Sequence, residues 1–217
     1  MGSIEEKWEL IHRAFLSLDR LKYPFEPSTI PLNGLYVFFE KGELSHEHER
    51  IVRVGTHTGK DQLRSRLIQH LVKENKDRSI FRKNIGRALL NRDNNINILD
   101  MWDKDMTPKK AREHMENLDI PAIKEVEGRV SDYMRSHFSF ATIEVLNKED
   151  RLRLESKLIS TISLCKECSK PSPNWLGKSS PITKIRESGL WLVNELYKEP
   201  FDDKGLDQFL SRYFPRK

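Results

Sequence analysis

The stretch that decides the fold is "IVRVGTHTGKDQLRSRLIQH", Ile51–His70. It opens as an apolar, β-branched strand, breaks at Gly55, and resumes after Asp61 with leucines at 63, 67 and 71. That spacing of four marks one face of a helix, with Asp61 as its expected N-cap and an end near Lys73. At 100° per residue, Arg66 and His70 lie about 60° and 20° from Leu63, so a cation and an imidazole flank the stripe that must be buried. An arginine stem laid along the core and a boundary histidine would account for them. A functional site would do so equally.

Upstream, "GLYVFFE" (Gly34–Glu40) is an aromatic, β-branched strand, and the polar connection "KGELSHEHE" joins it to "RIVRVG". The pair reads as an antiparallel hairpin. "YPFEPSTIP" carries three prolines and reads as a loop. Ahead of it, a capping box of Ser3 and Glu6 starts a helix on which Trp8, Ile11, Phe15 and Leu18 recur at helical spacing. Residues 75–136 read as helices with polar joints, among them "PKKAREHMENL", with Thr107 as cap and Pro108 in the first turn. "FSFATIEVL" returns to strand, Asn147 caps "KEDRLRLESKLISTISL", "ITKIRESGLWLVNEL" adds a helix or strand pair, and "LDQFLSRYF" is a short helix. The expected class is α/β (α+β): a small antiparallel three-stranded sheet flanked by helices. A single domain spans 1–217, with an N-terminal helix and linker in 1–30 and a helical insertion in 75–136.

The helix after Asn147 carries a second anomaly. Leu152, Ile159, Ile162 and Leu158 span an arc of about 120°, and Glu155 falls inside it. Burying an unpaired carboxylate costs several kcal/mol, so Glu155 should meet a cation such as Arg66, hold a metal, or stay protonated. Hard divalent ions are commonly held by one or two carboxylates with water and phosphate.

Lys plus Arg number 38 against 33 Asp plus Glu, a net charge of +5, which permits a polyanion partner without demanding one. "RSIFRKNIGRALLNR" gathers Arg78, Arg82, Lys83, Arg87 and Arg92 around Phe81, as either a solvated helix face or a phosphate-tracking surface. No apolar run approaches the roughly 18 residues a membrane span needs, and the N-terminus lacks the basic start and apolar block of a secretory signal. A cytoplasmic protein without a membrane partner is expected. Cys165 and Cys168 form one CxxC. It could be half a zinc site or a redox pair, but no second CxxC or CxxH completes it, and two ordinary thiols is the plainer reading.

A hairpin with a glycine at its exit, an Arg/His helix and a Glu helix, in that order, resemble the GIY-YIG nucleases, as a stand-alone bacterial or phage-type member. Gly34-Leu35-Tyr36 is similar to the first signature triplet and Arg53-Val54-Gly55 to the second, with Arg53 where a tyrosine is expected. Leu63–His70 resembles the family's "RxxxH" helix, Glu155 its metal-binding glutamate, and Asn174 in "NWLG" the asparagine that follows. The resemblance covers Leu32 to about Gly177. It implies hydrolysis of DNA phosphodiesters with one divalent ion, Mg²⁺ or Mn²⁺, per active site.

In that scheme Glu155 holds the metal and Arg66 grips a nonbridging phosphate oxygen. A phenol ordinarily titrates near 10 and an imidazole near 6.5. Tyr36 is the position-matched base if positive charge or the metal helps it, with His70 orienting it or the phosphate, and His57 is the rival. Asn174 fixes the nucleophile or a phosphate. Arg53, Arg78, Arg82, Lys83 and Arg87 are the expected nucleic-acid contacts, and a homodimer would let one site per chain cut both strands. A restriction or defence endonuclease is the first expectation. A catalytically silent nucleic-acid-binding or regulatory module on the same fold, suggested by Arg53, is the alternative.

Overall fold

The computed structural model describes residues 4–107 and 119–215. Ser3 of the expected capping box and most of the expected helix after Thr107 lie outside these residues. A four-stranded antiparallel sheet runs in the order β1-β4-β2-β3, with β1 at Leu21–Lys22, β2 at Gly34–Ser45, β3 at His48–Gly55 and β4 at Phe138–Glu144. The expected sheet had three strands. The fourth, β1, pairs Leu21 with Phe140 and Lys22 with Ser139, and two residues are too short to show an alternation in sequence.

β2 lies between β3 and β4, and both faces of the sheet are covered. Tyr36 and Phe38 point into one core with Phe138, Phe140, Phe81 and Trp191. Leu35, Val37 and Phe39 point into the other with Trp8, Ile11, Ala141, Ile143 and Leu158. A strand buried on both faces reads as an unbroken apolar run, as "LYVFF" does. α1 (Ile4–Leu16), α6 (Lys148–Ser163) and α8 (Asp203–Tyr213) contribute to the second core. α2 (Leu63–Leu71), α3 (Ile80–Arg92), α4 (Ile96–Asp103) and α5 (Ile120–His137) pack on the first, and the short α7 (Thr183–Ser188) joins them there through Ile185. No described helix is long and apolar enough to cross a membrane.

The hairpin extends beyond the expected strands to a two-residue turn at His46–Glu47, both in the left-handed region. Its polar residues reach the sheet because they are paired. Arg50 donates from Nη2 to Glu43 at 3.1 Å, and both are buried. The register shifts between Phe38, opposite Arg53, and Phe39, opposite Ile51. Val52 is the extra residue of this bulge. Its carbonyl accepts the Trp191 amide at 2.8 Å.

α2 begins at Leu63 rather than after Asp61 and ends at Leu71, short of Lys73. Asp61 has φ 57° and its carboxylate accepts from Asn33 Nδ2 at 2.5 Å, so it is committed to the strand opening and does not cap the helix. Asn147 does cap α6, accepting the Asp150 amide at 2.9 Å.

Arg82 is corrected most sharply. Expected on a phosphate-facing surface, it is fully buried. Its Nε and Nη2 grip Glu127 Oε2 at 3.0 and 2.7 Å, and further bonds reach Ser131 Oγ and the His70 carbonyl. Removing one partner of a buried pair costs about 3–5 kcal/mol, whereas an exposed contact is worth under about 1 kcal/mol. Arg82→Ala should therefore lower the thermal midpoint by roughly 10 °C. A calorimetric shift of only a degree or two would contradict the buried pair.

Candidate active site

The end of the sheet where β2 begins and β3 stops gathers Tyr36, Arg53, His57, Arg66, His70 and Glu155. Two glycines make this possible. A Cβ on Gly34 would lie 2.0 Å from the Ile143 carbonyl oxygen, so only glycine lets β4 pass there. A Cβ on Gly55 would lie 2.2 Å from the Tyr36 hydroxyl, so the absent side chain is the space in which the phenol ends.

Tyr36 and His70 are in contact, with Tyr36 Oη 2.8 Å from His70 Nε2. The imidazole is completed by Ser79 Oγ, 2.7 Å from Nδ1. Ser79 Oγ also accepts the Arg82 amide at 3.2 Å as the cap of α3, so its own proton is free to point at His70 Nδ1. Burial lowers the His70 pKa well below the ordinary imidazole value, and the charges of Arg66, Arg53 and Arg82 push it the same way. His70 is neutral at physiological pH.

Glu155 sits at the margin of the buried face of α6, which is centred on Arg151, Leu154, Leu158 and Ile162. Leu152, expected inside, is exposed. Glu155 Oε1 accepts the Thr56 amide at 3.0 Å, and Thr56 Oγ1 donates to the Gly34 carbonyl at 2.7 Å. The helix is thereby fixed to the strand ends. The expected ion pair with Arg66 does not form. Burial raises the Glu155 pKa, a nearby Glu195 charge adds to it, and Arg53, the Thr56 amide and Arg66 oppose it.

Two clefts meet at Glu155. One, of about 310 Å³, is lined by Thr56, His57, Gln62, Arg66 and Gln69 together with Leu152. The other, of about 400 Å³, is lined by Arg53, Asn84, Trp191, Asn194 and Glu195, again with Leu152. Arg66 uses Nη1 for the Arg78 carbonyl at 3.0 Å and Gln69 Oε1 at 3.5 Å. Arg53 donates to the Trp191 carbonyl at 2.5 Å and stacks 4.7 Å from the Phe81 ring centre, while its Nε is buried without a partner.

His57 has both ring nitrogens engaged. Nδ1 lies 2.7 Å from the Gly59 carbonyl and Nε2 accepts the Gly34 amide at 3.3 Å. Nδ1 therefore carries the proton, and desolvation lowers the pKa of the ring. Asn174 is exposed and lines neither cleft. Its neighbour Trp175 is anchored by Glu40 at 2.8 Å, about 20 Å along β2 from Gly34. Two asparagines line the Glu155 cleft, Asn84 from α3 and Asn194, and the irregular stretch after Trp191 brings Asn194 there. Sequence reasoning passed over it, and only its position after "GLWLV" marks it.

Of the expected nucleic-acid contacts, Arg78 is exposed and Arg53 is on the cleft wall. Lys83 donates to the Asp103 carbonyl at 2.7 Å and lies 3.9 Å from the Asp77 carboxylate, and Arg87 donates to the Asp103 carboxylate at 2.5 Å, so both are engaged within the helical segment.

No significant match was found among curated proteins or among solved structures. The family model of the GIY-YIG domain, a domain of endonucleases, matches residues 11–214. That span holds both glycine-bearing strand ends, the Tyr36–His70 contact and the Arg66–Glu155 cleft, and the chain belongs to the GIY-YIG family.

Proposed function

We propose that this protein is a divalent-metal-dependent endonuclease that hydrolyses DNA phosphodiesters at the clefts shared by Glu155. The observation that carries the proposal is the state of that carboxylate: partly buried, held by one amide, and flanked by the guanidiniums of Arg66 and Arg53 without pairing to either.

The donor set fits a hard cation, since Glu155 keeps an oxygen outside its amide contact and Asn194 and Glu195 bring more oxygen to the same wall. Mg²⁺ or Mn²⁺ held there supplies neutralising charge to the phosphate and the leaving oxygen. The chain's own groups do the remainder. Arg66, with Nη2 and Nε uncommitted among the described residues, offers its fork to a nonbridging oxygen as charge builds. Arg53 presents a second fixed cation where the family places a phenol.

Tyr36 is the base. His70 donates Nε2–H to the phenol oxygen while accepting the Ser79 hydroxyl at Nδ1. His57, with both nitrogens taken, latches the Gly34–Gly59 turn. Asn194 takes the positioning role first assigned to Asn174. Exposed Lys60, Arg78 and Lys148 offer the cations that track the backbone.

Plasmid cleavage with Mg²⁺ tests the assignment. Arg66→Ala should lower the single-turnover rate about 10²–10³-fold with a nearly unchanged melting curve, and Tyr36→Phe about 10²–10⁴-fold with a melting temperature lower by several degrees, because the buried His70 Nε2 loses its partner. If His57→Gln loses more rate than Tyr36→Phe at equal stability, the base assignment is wrong.

Glu155→Gln should abolish cutting and raise the melting temperature at neutral pH. The sign follows from the raised pKa: folding disfavours the ionised form, so stability contributed by the protonated carboxyl is lost as pH rises through the folded value. The same raised pKa should make metal affinity fall away at a higher pH than for an ordinary carboxylate as the solution is acidified. Arg53 in place of a phenol favours the rival reading, a binding module without catalysis. Equal cutting by wild type and Glu155→Gln, with binding that weakens steeply in salt, would establish that module instead.

A further inference from the structure

The CxxC that the active site does not use has partners that are distant in sequence. Cys165 and Cys168 lie in the turn after α6, and both are buried and reduced. His12, from α1, places Nε2 3.1 Å from Cys168 Sγ. His46, from the β2–β3 turn, places Nε2 3.2 Å from Cys165 Sγ. Donor atoms of His12, His46 and Cys168 all lie within 4.8 Å of one another, and no other such His/Cys/Asp/Glu group occurs among the described residues. We propose that His12, His46, Cys165 and Cys168 form a structural zinc site.

The distances suit the ion. Zn–S near 2.3 Å and Zn–N near 2.0–2.1 Å at tetrahedral angles imply S···N separations of about 3.5 Å. The observed 3.1 and 3.2 Å contacts lie a little inside that separation, and Cys165, which stands outside the 4.8 Å group, must close on the other donors as the metal binds. Two thiolates and two neutral imidazoles would make the buried unit electrically neutral with Zn²⁺. On binding, each sulfur gives its proton to solvent and its electron pair to the metal.

The surroundings orient the donors as an outer ligand shell does. Glu167 Oε2 accepts the His46 amide at 2.9 Å and lies 3.4 Å from His46 Nδ1, which turns Nε2 toward Cys165. The Cys168 amide donates to Cys165 Sγ at 3.4 Å, and Ser45 Oγ lies 3.2 Å from Cys168 Sγ. The turn itself is strained, with His46 and Glu47 at φ 52° and 64°. Non-glycine residues in that region cost of order 1–3 kcal/mol and persist where surrounding contacts dictate them.

The cluster is separate from the nuclease centre. Cys165 follows Glu155 by ten residues, about 15 Å along the helix and its cap. Its test is therefore independent of cleavage. Protein purified without chelator should carry about one zinc per chain by elemental analysis, and Glu155→Gln should carry the same amount. Cobalt-loaded wild type should show the visible bands and thiolate charge transfer of a tetrahedral S₂N₂ site. Cys165→Ser/Cys168→Ser should lose both signals, and chelator should lower the melting temperature of wild type but not of this double variant.

Should the double variant fail to fold, the cobalt spectrum of wild type and of His46→Gln decides alone: thiolate bands in wild type, altered or lost in His46→Gln, uphold the site. Folded wild type that takes up neither zinc nor cobalt, with thiols equally reactive before and after metal addition, would overturn the proposal. So would a reversible Cys165–Cys168 disulfide in metal-free protein whose formation is indifferent to added zinc, which would mark a redox pair.

Discussion

From Gly34 to Glu40 β2 has no solvent face, and from Tyr36 to Phe39 it has neighbours along both edges. Every residue of the strand must therefore satisfy two cores at once, and each fully buried aromatic contributes about 1.5–3 kcal/mol relative to exposure. That constraint fixes where Tyr36 can be. Its ring shares a core with Phe38 and Phe81, and its hydroxyl emerges only over Gly55 and against His70. The rigidity that aims the phenol thus comes from packing on a strand that cannot shift.

The large elements were legible because periodicity survives in sequence. Leu63, Leu67 and Leu71 are buried as their spacing implied, and the arginine and histidine beside them meet the Glu155 cleft and Tyr36 respectively. Arg82 was misplaced although the signal was present: it shares a stripe with Ile85 and Leu89, the buried side of α3. Reading charge before periodicity hid it. Its partner Glu127 sits likewise among Ile123, Val126 and Val130. Asn194, and the histidines beside the CxxC, were beyond reach for another reason. Their neighbours are set by irregular chain and by separations of 119 to 156 residues, which no local pattern encodes.

The electrostatics of the active site follow from one substitution within the family pattern. Arg53 places a permanent charge in a buried position, with one nitrogen on the Trp191 carbonyl and one without a partner. Such a charge is tolerable because Glu155 and the Phe81 ring lie close. Burial is what chiefly keeps His70 from protonating, and Arg53 adds to it after Arg66. The same cation that supports the carboxylate thus also disfavours an imidazolium at His70.

The bulge at Val52 raises the question of parity. Side chains alternate along a strand, and across the extra residue Ile51 and Val54 share one core while Arg53 and Gly55 face the other. Exchanging the chemistry of residue 52 leaves the count intact. Deleting it would leave Ile51, Arg53, Val54 and Gly55 in plain alternation on the faces they already occupy, but would remove the carbonyl that holds the Trp191 amide. The parity of β3 is thus kept with or without residue 52, and what the bulge adds is an anchor for Trp191, whose stretch of chain walls the Arg53 cleft.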